Sequence, residues 1–116
     1  MDPYTAAQAA GIVLAISGAA LLAWQYTYWR THYDGGLLTG GPYSIVRHPQ
    51  YAGFLYLITG IALASPNEDT IALALFSVAY MAYWIGKEEA ALTERYGRGY
   101  EEYKQRVPWR IVPRVI

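Results

Sequence analysis

Cysteine is absent from this chain of 116 residues. The protein therefore has no disulfide framework, no thiol nucleophile and no cysteine-based metal site. Histidine is almost as rare, because His32 and His48 are its only two copies. Two histidines are too few for a histidine-rich metal centre, and no mixed histidine and carboxylate spacing suggests another kind. We therefore expect no bound metal ion.

Charged residues are also scarce, at 16% of the chain against roughly 25% in soluble domains. Hydrophobic residues make up 54% and come in blocks rather than at a helical or strand period, which is typical of a membrane protein. Three uncharged runs, at about residues 4–29, 50–66 and 70–86, are each long enough to span a bilayer. The predicted fold is an all-α membrane bundle of three transmembrane helices, forming a single domain over residues 1–116.

The chain also lacks the patterns of two common alternatives. It has no GxGxxG motif and no alternation of strands and helices, which excludes a soluble Rossmann-type cofactor fold. Its first apolar run follows the acidic residue Asp2 and is too long for a signal peptide. We therefore interpret that run as a membrane span.

Small residues recur at every fourth position of the first span. They are Ala7, Gly11, Ala15, Ala19 and Ala23. A ridge of this kind allows another helix to pack closely against it. We expect the partner helix to come from the same chain, with dimerisation as the less favoured alternative.

All basic residues fall on one side of a bundle with three spans. They are Arg30, Arg47, Lys87, Arg95, Arg98, Lys104, Arg106, Arg110 and Arg114. The positive-inside rule therefore places the N-terminus outside and the C-terminus in the cytoplasm.

The chain becomes polar after Gly86, with apolar residues repeating every three or four positions. This pattern predicts an amphipathic helix over about residues 87–105 on the cytoplasmic membrane face. The tail that follows contains Pro108 and Pro113, so it should be extended and fold back onto the bundle.

The stretch GGPYSIVRHPQYAG, residues 40–53, indicates a binding site. Pro49 fits the first position of a helix and His48 its cap. The free N–H groups of that first turn, with the positive end of the helix dipole, would form an anion site beside Arg47 and His48. Gly53 would let a ligand lie close to the turn. The alternative is an ordinary membrane helix start with a basic flank.

Adjacent spans should bring this stretch near the glycine-rich connection at residues 30–41 and near Lys87, Glu88 and Glu89. An anion site, aromatic faces and carboxylates together suit a cofactor that carries a carboxylate, a sulfonium and ribose hydroxyls. Helical spacing places Glu89 closer to the inner face than Glu88. The alternative for the Glu pair is a solvated charge cluster balanced by Lys87.

The segments GPYSIVRHPQYAG and EEAALTERYGRGYEEYKQRVPWRIVP, separated by a helical hairpin, resemble the isoprenylcysteine carboxyl methyltransferase and phospholipid methyltransferase superfamily of integral-membrane enzymes. The resemblance covers residues 35–113. It implies S-adenosylmethionine as the cofactor, a pocket at the cytoplasmic face and a lipid-like substrate from the bilayer. The expected partners are the bilayer and an amphiphilic small molecule, with a second copy of the chain as an open alternative and no nucleic acid.

The resemblance also implies site residues. Cofactor contacts fall on Gly36, Leu37, Leu38, Tyr43, His48, Tyr51 and Glu88, and the helix-start argument adds Arg47, Pro49 and Gly53. The predicted catalytic residues are His48, Glu88 and Glu89. A carboxylate or thiolate nucleophile would need no base, whereas an amine would need a proton acceptor such as His48, Tyr43 or one of the Glu pair.

Trp84 stands where prenylcysteine-specific members resemble one another in carrying arginine. We therefore expect Trp84 to contact substrate, and its apolar face disfavours a carboxylate and suits a lipid chain or a methylated ammonium group. Two other functions remain as alternatives. One is a non-catalytic membrane protein that assembles through its small-residue ridge, and the other is a membrane reductase that uses a nicotinamide cofactor.

Overall fold

The computed structural model describes residues 2–116, which form four α-helices, a short 3-10 helix and no strand. The elements are α1 (Pro3–His32), the 3-10 helix (Gly41–Ser44), α2 (Pro49–Ala64), α3 (Glu68–Tyr96) and α4 (Arg98–Arg106). The predicted all-α class is confirmed. Both α1 and α3 are long and apolar enough to cross a membrane, and α2 is a shorter apolar helix.

The helix starts follow local capping chemistry. The Asp2 carboxylate accepts a hydrogen bond of 2.8 Å from the Thr5 backbone N–H at the start of α1. Asn67 and Thr70 form a reciprocal capping box at the start of α3, which satisfies backbone N–H groups that have no partner inside the helix. His48 precedes α2 and Pro49 opens it, as the sequence predicts.

Helices α1 and α2 pack backbone against backbone through glycines. A Cβ added to Gly11 would lie 2.6 Å from the Gly60 carbonyl oxygen, and one added to Gly18 would lie 2.5 Å from the Gly53 carbonyl oxygen. The predicted ridge of small residues is therefore only partly correct. Gly11 and Ala15 contact α2, but Ala7, Ala19 and Ala23 are exposed. A repeat of four advances about 40° per step around a helix of 3.6 residues per turn, so the ridge winds away from the interface.

Helix α3 does not end near Gly86 but continues to Tyr96. The predicted boundary between a span over residues 70–86 and a separate helix over residues 87–105 is therefore wrong. Gly86 lies inside the helix, and a single glycine weakens a helix without ending it. The break comes at Gly97, whose φ of 53° is a left-handed conformation that glycine adopts readily.

The C-terminal tail folds back onto the start of α2, as expected. The backbone N–H groups of Arg47 and His48 donate to the carbonyl oxygens of Trp109 and Arg110, at 2.9 and 3.0 Å. The Tyr56 hydroxyl donates to the Ile111 carbonyl oxygen. These contacts bring the tail to the end of the molecule where α2 begins and α3 ends.

Candidate functional site

A cavity of about 420 Å³ lies where α1 ends, α2 begins and α3 meets α4. Most residues predicted to bind the cofactor line it. They are Gly36, Leu37, Leu38, Tyr43, Arg47, His48, Pro49, Tyr51 and Glu88. The helices thus bring together residues from the glycine-rich connection, the Arg-His-Pro stretch and the end of α3.

Three predicted site residues do not line this cavity. Gly53 packs against Leu22 and Gly18 of α1. The absence of a side chain there allows the two helices to pack closely, and α1 fills the space that a ligand would need. Trp84 lies on the outer face of α3, 39% exposed, with its ring near Tyr80. Glu89 is buried beside the cavity at 8% exposure.

Glu89 is the centre of a buried network of hydrogen bonds. Its Oε2 accepts from Arg47 Nη2 at 2.6 Å and Nε at 3.1 Å, from His48 Nε2 at 3.1 Å and from the Tyr100 hydroxyl at 3.2 Å. Its Oε1 lies 2.8 Å from Arg110 Nη2. Two guanidinium groups therefore pair with this carboxylate, and a buried carboxylate requires such partners.

The same network keeps the Tyr100 hydroxyl protonated. Burial and the nearby Glu89 carboxylate raise the pKa of Tyr100 to about 12. The hydroxyl therefore stays protonated at physiological pH and donates to Glu89. With all these donors around it, Glu89 supports neighbouring side chains and is not the carboxylate that faces the cavity.

Glu88 has the opposite environment. Its side chain is 49% exposed, lines the cavity and places Oε2 at 3.7 Å from His48 Nδ1. The periodicity argument that set Glu89 on the inner face is confirmed, because Glu89 is the buried member of the pair. The resemblance that selected Glu88 identified the member that lines the cavity.

The anion site at the start of α2 is smaller than the sequence suggests. His48 gives its backbone N–H to the tail, Pro49 has none, and the Ala52 N–H donates to the His48 carbonyl oxygen. The first-turn donors are therefore the N–H groups of Gln50 and Tyr51, two residues that line the cavity.

Arg47 and Arg95 line the cavity, but both already bind other groups of the protein. The Arg47 guanidinium is bound by Glu89 and also donates to the Val107 carbonyl oxygen at 3.2 Å. Arg95 is exposed and donates to the Gly35 carbonyl oxygen at 3.1 Å, beside the Tyr96 hydroxyl at 3.0 Å from the same atom. Together, Arg95 and Tyr96 hold the glycine-rich connection over the cavity.

Aromatic rings form much of the cavity wall. They come from Trp29, Tyr33, Tyr43, Tyr51, Tyr96, Tyr100 and Tyr103. Such rings attract cations through their negative faces. Glu88 also lines the cavity, together with Arg47 and Arg95, so the rings and this carboxylate suit a positively charged group of a ligand.

Several supporting residues escaped the sequence prediction. Gln25 is buried within α1, and its Nε2 lies 3.0 Å from the Tyr43 hydroxyl. The Tyr103 hydroxyl donates to the Tyr43 carbonyl oxygen at 2.6 Å, and burial raises the pKa of Tyr103. Gln25 alone had a visible signal, since an isolated polar residue in an apolar span is costly unless it has a partner.

Comparisons with known proteins identify the family of this chain. The sequence model of a family described as phospholipid methyltransferase matches residues 5–99. Protein-S-isoprenylcysteine O-methyltransferase B of Arabidopsis thaliana is 43% identical over 73 residues, which are 62% of this chain and 37% of the relative. Protein-S-isoprenylcysteine O-methyltransferase of Schizosaccharomyces pombe is 36% identical over 76 residues, 65% of this chain and 32% of the relative.

A second group of relatives carries a different activity in its name. Delta(14)-sterol reductase TM7SF2 of Mus musculus is 36% identical over 83 residues, which are 68% of this chain and 19% of the relative. The matched part of the chain thus spans only 19% to 37% of the length of these three relatives.

Proposed function

The chain belongs to the phospholipid methyltransferase family, in the superfamily that includes the isoprenylcysteine methyltransferases, and from this premise we propose that it is an integral-membrane methyltransferase that uses S-adenosylmethionine on a lipid-like substrate. One observation carries the proposal. The cavity combines the first turn of α2, a wall of aromatic rings and the Glu88 carboxylate at one end of the apolar bundle.

The residues that line the cavity fit the chemical groups of S-adenosylmethionine, which would supply an electrophilic methyl group. The N–H groups of Gln50 and Tyr51 suit its carboxylate, the tyrosine rings suit its sulfonium, and Glu88 suits its ribose hydroxyls. Gly36, Leu37 and Leu38 also line the cavity, where they would contact the cofactor.

The protein's contribution to methyl transfer is mainly positioning and exclusion of water. The Glu89 network holds His48 and Arg47 in place, and the tail covers the start of α2. His48 and Glu88 are the titratable groups of the predicted catalytic set that line the cavity, so a substrate that must lose a proton would lose it there.

An amine substrate agrees better with these charges than a carboxylate. Arg47 is already bound to Glu89. Arg95, the other arginine of the lining, is exposed and donates to the Gly35 carbonyl oxygen. A buried carboxylate without a charged partner is costly to desolvate, and Glu88 would repel it. We propose that the substrate is an amphiphile with an amine head group and that Trp84, outside the cavity, contacts its hydrocarbon chain.

In the proposed topology, α1, α2 and the apolar part of α3 cross the membrane, with the N-terminus outside and the cavity at the cytoplasmic face. The uneven distribution of Lys and Arg supports it. Arg98–Arg106 then lies at the cytoplasmic membrane surface as the amphipathic helix.

Calorimetry on the purified protein in lipid nanodiscs tests the function. S-adenosylmethionine and its demethylated product should both bind, and NADPH should not. The reductase alternative rests on the sequence identity to a sterol reductase. Binding of NADPH without S-adenosylmethionine would establish that alternative, and binding of neither would favour a non-catalytic role.

A further inference from the structure

The hydrogen atoms of the His48 ring can be assigned from its partners. His48 Nε2 lies 3.1 Å from Glu89 Oε2. That oxygen also accepts from Arg47 and from Tyr100, and an ionised carboxylate has no hydrogen to give. Nε2 must therefore be the donor. In the neutral ring, the lone pair then resides on Nδ1.

His48 Nδ1 lies on the side of the ring that approaches Glu88. The separation of 3.7 Å from Glu88 Oε2 is an ion-pair distance rather than a hydrogen bond. Both residues line the cavity, yet the His48 side chain is only 4% exposed while that of Glu88 is 49% exposed. A proton on Nδ1 would thus have the Glu88 carboxylate as its acceptor, and Glu88 is exposed to water.

We propose that Glu89 is a positioning residue that fixes His48 as the Nε2–H tautomer, so that Nδ1 accepts the proton that an ammonium substrate must lose and Glu88 delivers it to water. This inference rests on the proposed function and deepens it. The proton leaves the substrate nitrogen, which becomes a neutral amine. His48 becomes an imidazolium and returns to its neutral form when Glu88 takes the proton, and water restores the Glu88 carboxylate.

Charged and titratable groups surround His48 either directly or through Glu89. Tyr51 on α2 and Glu88 and Glu89 on α3 lie beside its ring. The other groups contact Glu89, and they are Arg47 before α2, Tyr100 on α4 and Arg110 in the tail. Both arginines are bound to Glu89, so Glu88 is the anion that faces Nδ1. The imidazolium formed during the transfer therefore lies beside Glu88, whereas the Glu89 carboxylate already pairs with both arginines.

The second histidine provides an internal reference with the opposite tautomer. His32 Nδ1 lies 3.1 Å from the Tyr28 carbonyl oxygen, which can only accept, and 2.8 Å from the Thr31 hydroxyl. That hydroxyl donates its own hydrogen to the Thr27 carbonyl oxygen at 2.8 Å, so it accepts from His32. The hydrogen of the His32 ring therefore resides on Nδ1. One sample labelled with 15N-histidine should show two neutral rings of opposite tautomer at mildly alkaline pH, without any ligand. His32→Gln removes one set of signals and so assigns the other to His48.

Two variants separate positioning from proton delivery. In Glu89→Gln, the His48 signals should change from a single tautomer to a mixture, and methyl transfer to an amine should fall by about 100-fold. In Glu88→Gln, the tautomer should stay unchanged while the rate at saturating S-adenosylmethionine falls. A purely structural role for Glu89 would lower the rate and leave the tautomer as it is.

The wild-type spectrum decides the inference even if Glu89→Gln does not fold. A proton on His48 Nδ1 in the neutral ring would overturn it, and so would an unchanged tautomer in a folded Glu89→Gln. Calorimetry with S-adenosylmethionine on the same samples keeps the two proposals apart. Binding with the wrong tautomer refutes only the proton path, whereas the expected tautomer without binding refutes the proposed function.

Discussion

Glu88 and Glu89 are neighbours in sequence with different surroundings. Successive residues on a helix point about 100° apart, so the two side chains cannot share one environment. Glu89 is buried among Arg47, His48 and Arg110, while Glu88 lines the cavity and is half exposed. The position that is closer to the core supports the site, and the position beside it is available to a ligand.

At the residue scale, His48→Ala and Glu88→Gln should each weaken binding of S-adenosylmethionine by about 1 to 3 kcal/mol, the cost of losing a partner to a charged or buried polar group. Glu101→Gln is the matched control, because Glu101 is exposed on α4 and pairs with Lys104. Calorimetry measures the affinities and circular dichroism verifies the fold. Unchanged affinity in both variants would place the cofactor elsewhere.

At the scale of elements, two contacts organise the molecule. The first is the close approach of α1 and α2 through glycines, which needs small residues because helix axes approach only where side chains are absent. The second is the tail, which pairs with the backbone before α2 and brings Arg110 to Glu89. The first contact fixes the helices, and the second completes the site.

Gly11→Ala should destabilise the protein by about 1 to 3 kcal/mol, because the added Cβ meets backbone atoms that cannot move aside. It would lie 2.6 Å from the Ala64 nitrogen. Gly99→Ala is the control, since a Cβ there has no atom within 4 Å and alanine favours a helix by about 0.5 to 1 kcal/mol. Thermal unfolding in detergent compares the two. A tolerated Gly11→Ala would contradict this packing.

Truncation after Val107 should abolish binding of S-adenosylmethionine. It removes Arg110 from Glu89 and the two carbonyl oxygens that accept from Arg47 and His48. The lost residues lie beyond the part matched by the family model. Arg110→Ala, which removes only the side chain, should weaken binding less than the truncation. Full affinity in the truncated protein would show that the tail is dispensable for the site.

At the scale of the whole molecule, apolar side chains cover the outside of the bundle. Exposed residues on α1 and α3 include Ile12, Ile16, Leu75 and Phe76. With 30 residues, α1 is about 45 Å long, which exceeds the roughly 30 Å of a bilayer core. The outer faces therefore suit lipid, and the cavity lies at the end of the bundle where the basic residues gather.

Single cysteines test the orientation, since the natural chain has none. Asn67→Cys, in the turn between α2 and α3, should react with an impermeant thiol reagent in intact cells. Gln105→Cys, on α4, should react only after the membrane is permeabilised. The expected pattern follows from the one-sided distribution of Lys and Arg. Labelling of Gln105→Cys alone in intact cells would invert the topology.

The substrate class is tested by offering a farnesylcysteine analogue and an aminophospholipid side by side to the protein in lipid. We expect methyl transfer to the amine, because Arg47 is bound to Glu89 and cannot hold a second carboxylate. Efficient esterification of the farnesylcysteine analogue, with no transfer to the amine, would sink this expectation. Arg95, which lines the cavity and is exposed, would then be the arginine that holds the carboxylate.

The sequence alone determined the helical class and the start of α2 at Pro49, because blocks of apolar residues, proline and glycine act locally. Its resemblance to a known family supplied most of the residues that line the cavity. Tertiary structure decided what depends on neighbours far along the chain. Arg47 and Glu89 are 42 positions apart, and only folding shows that they neutralise each other. Gly53 packs on α1 and Arg110 completes the site because helix packing and the returning tail place them there, which no local pattern encodes.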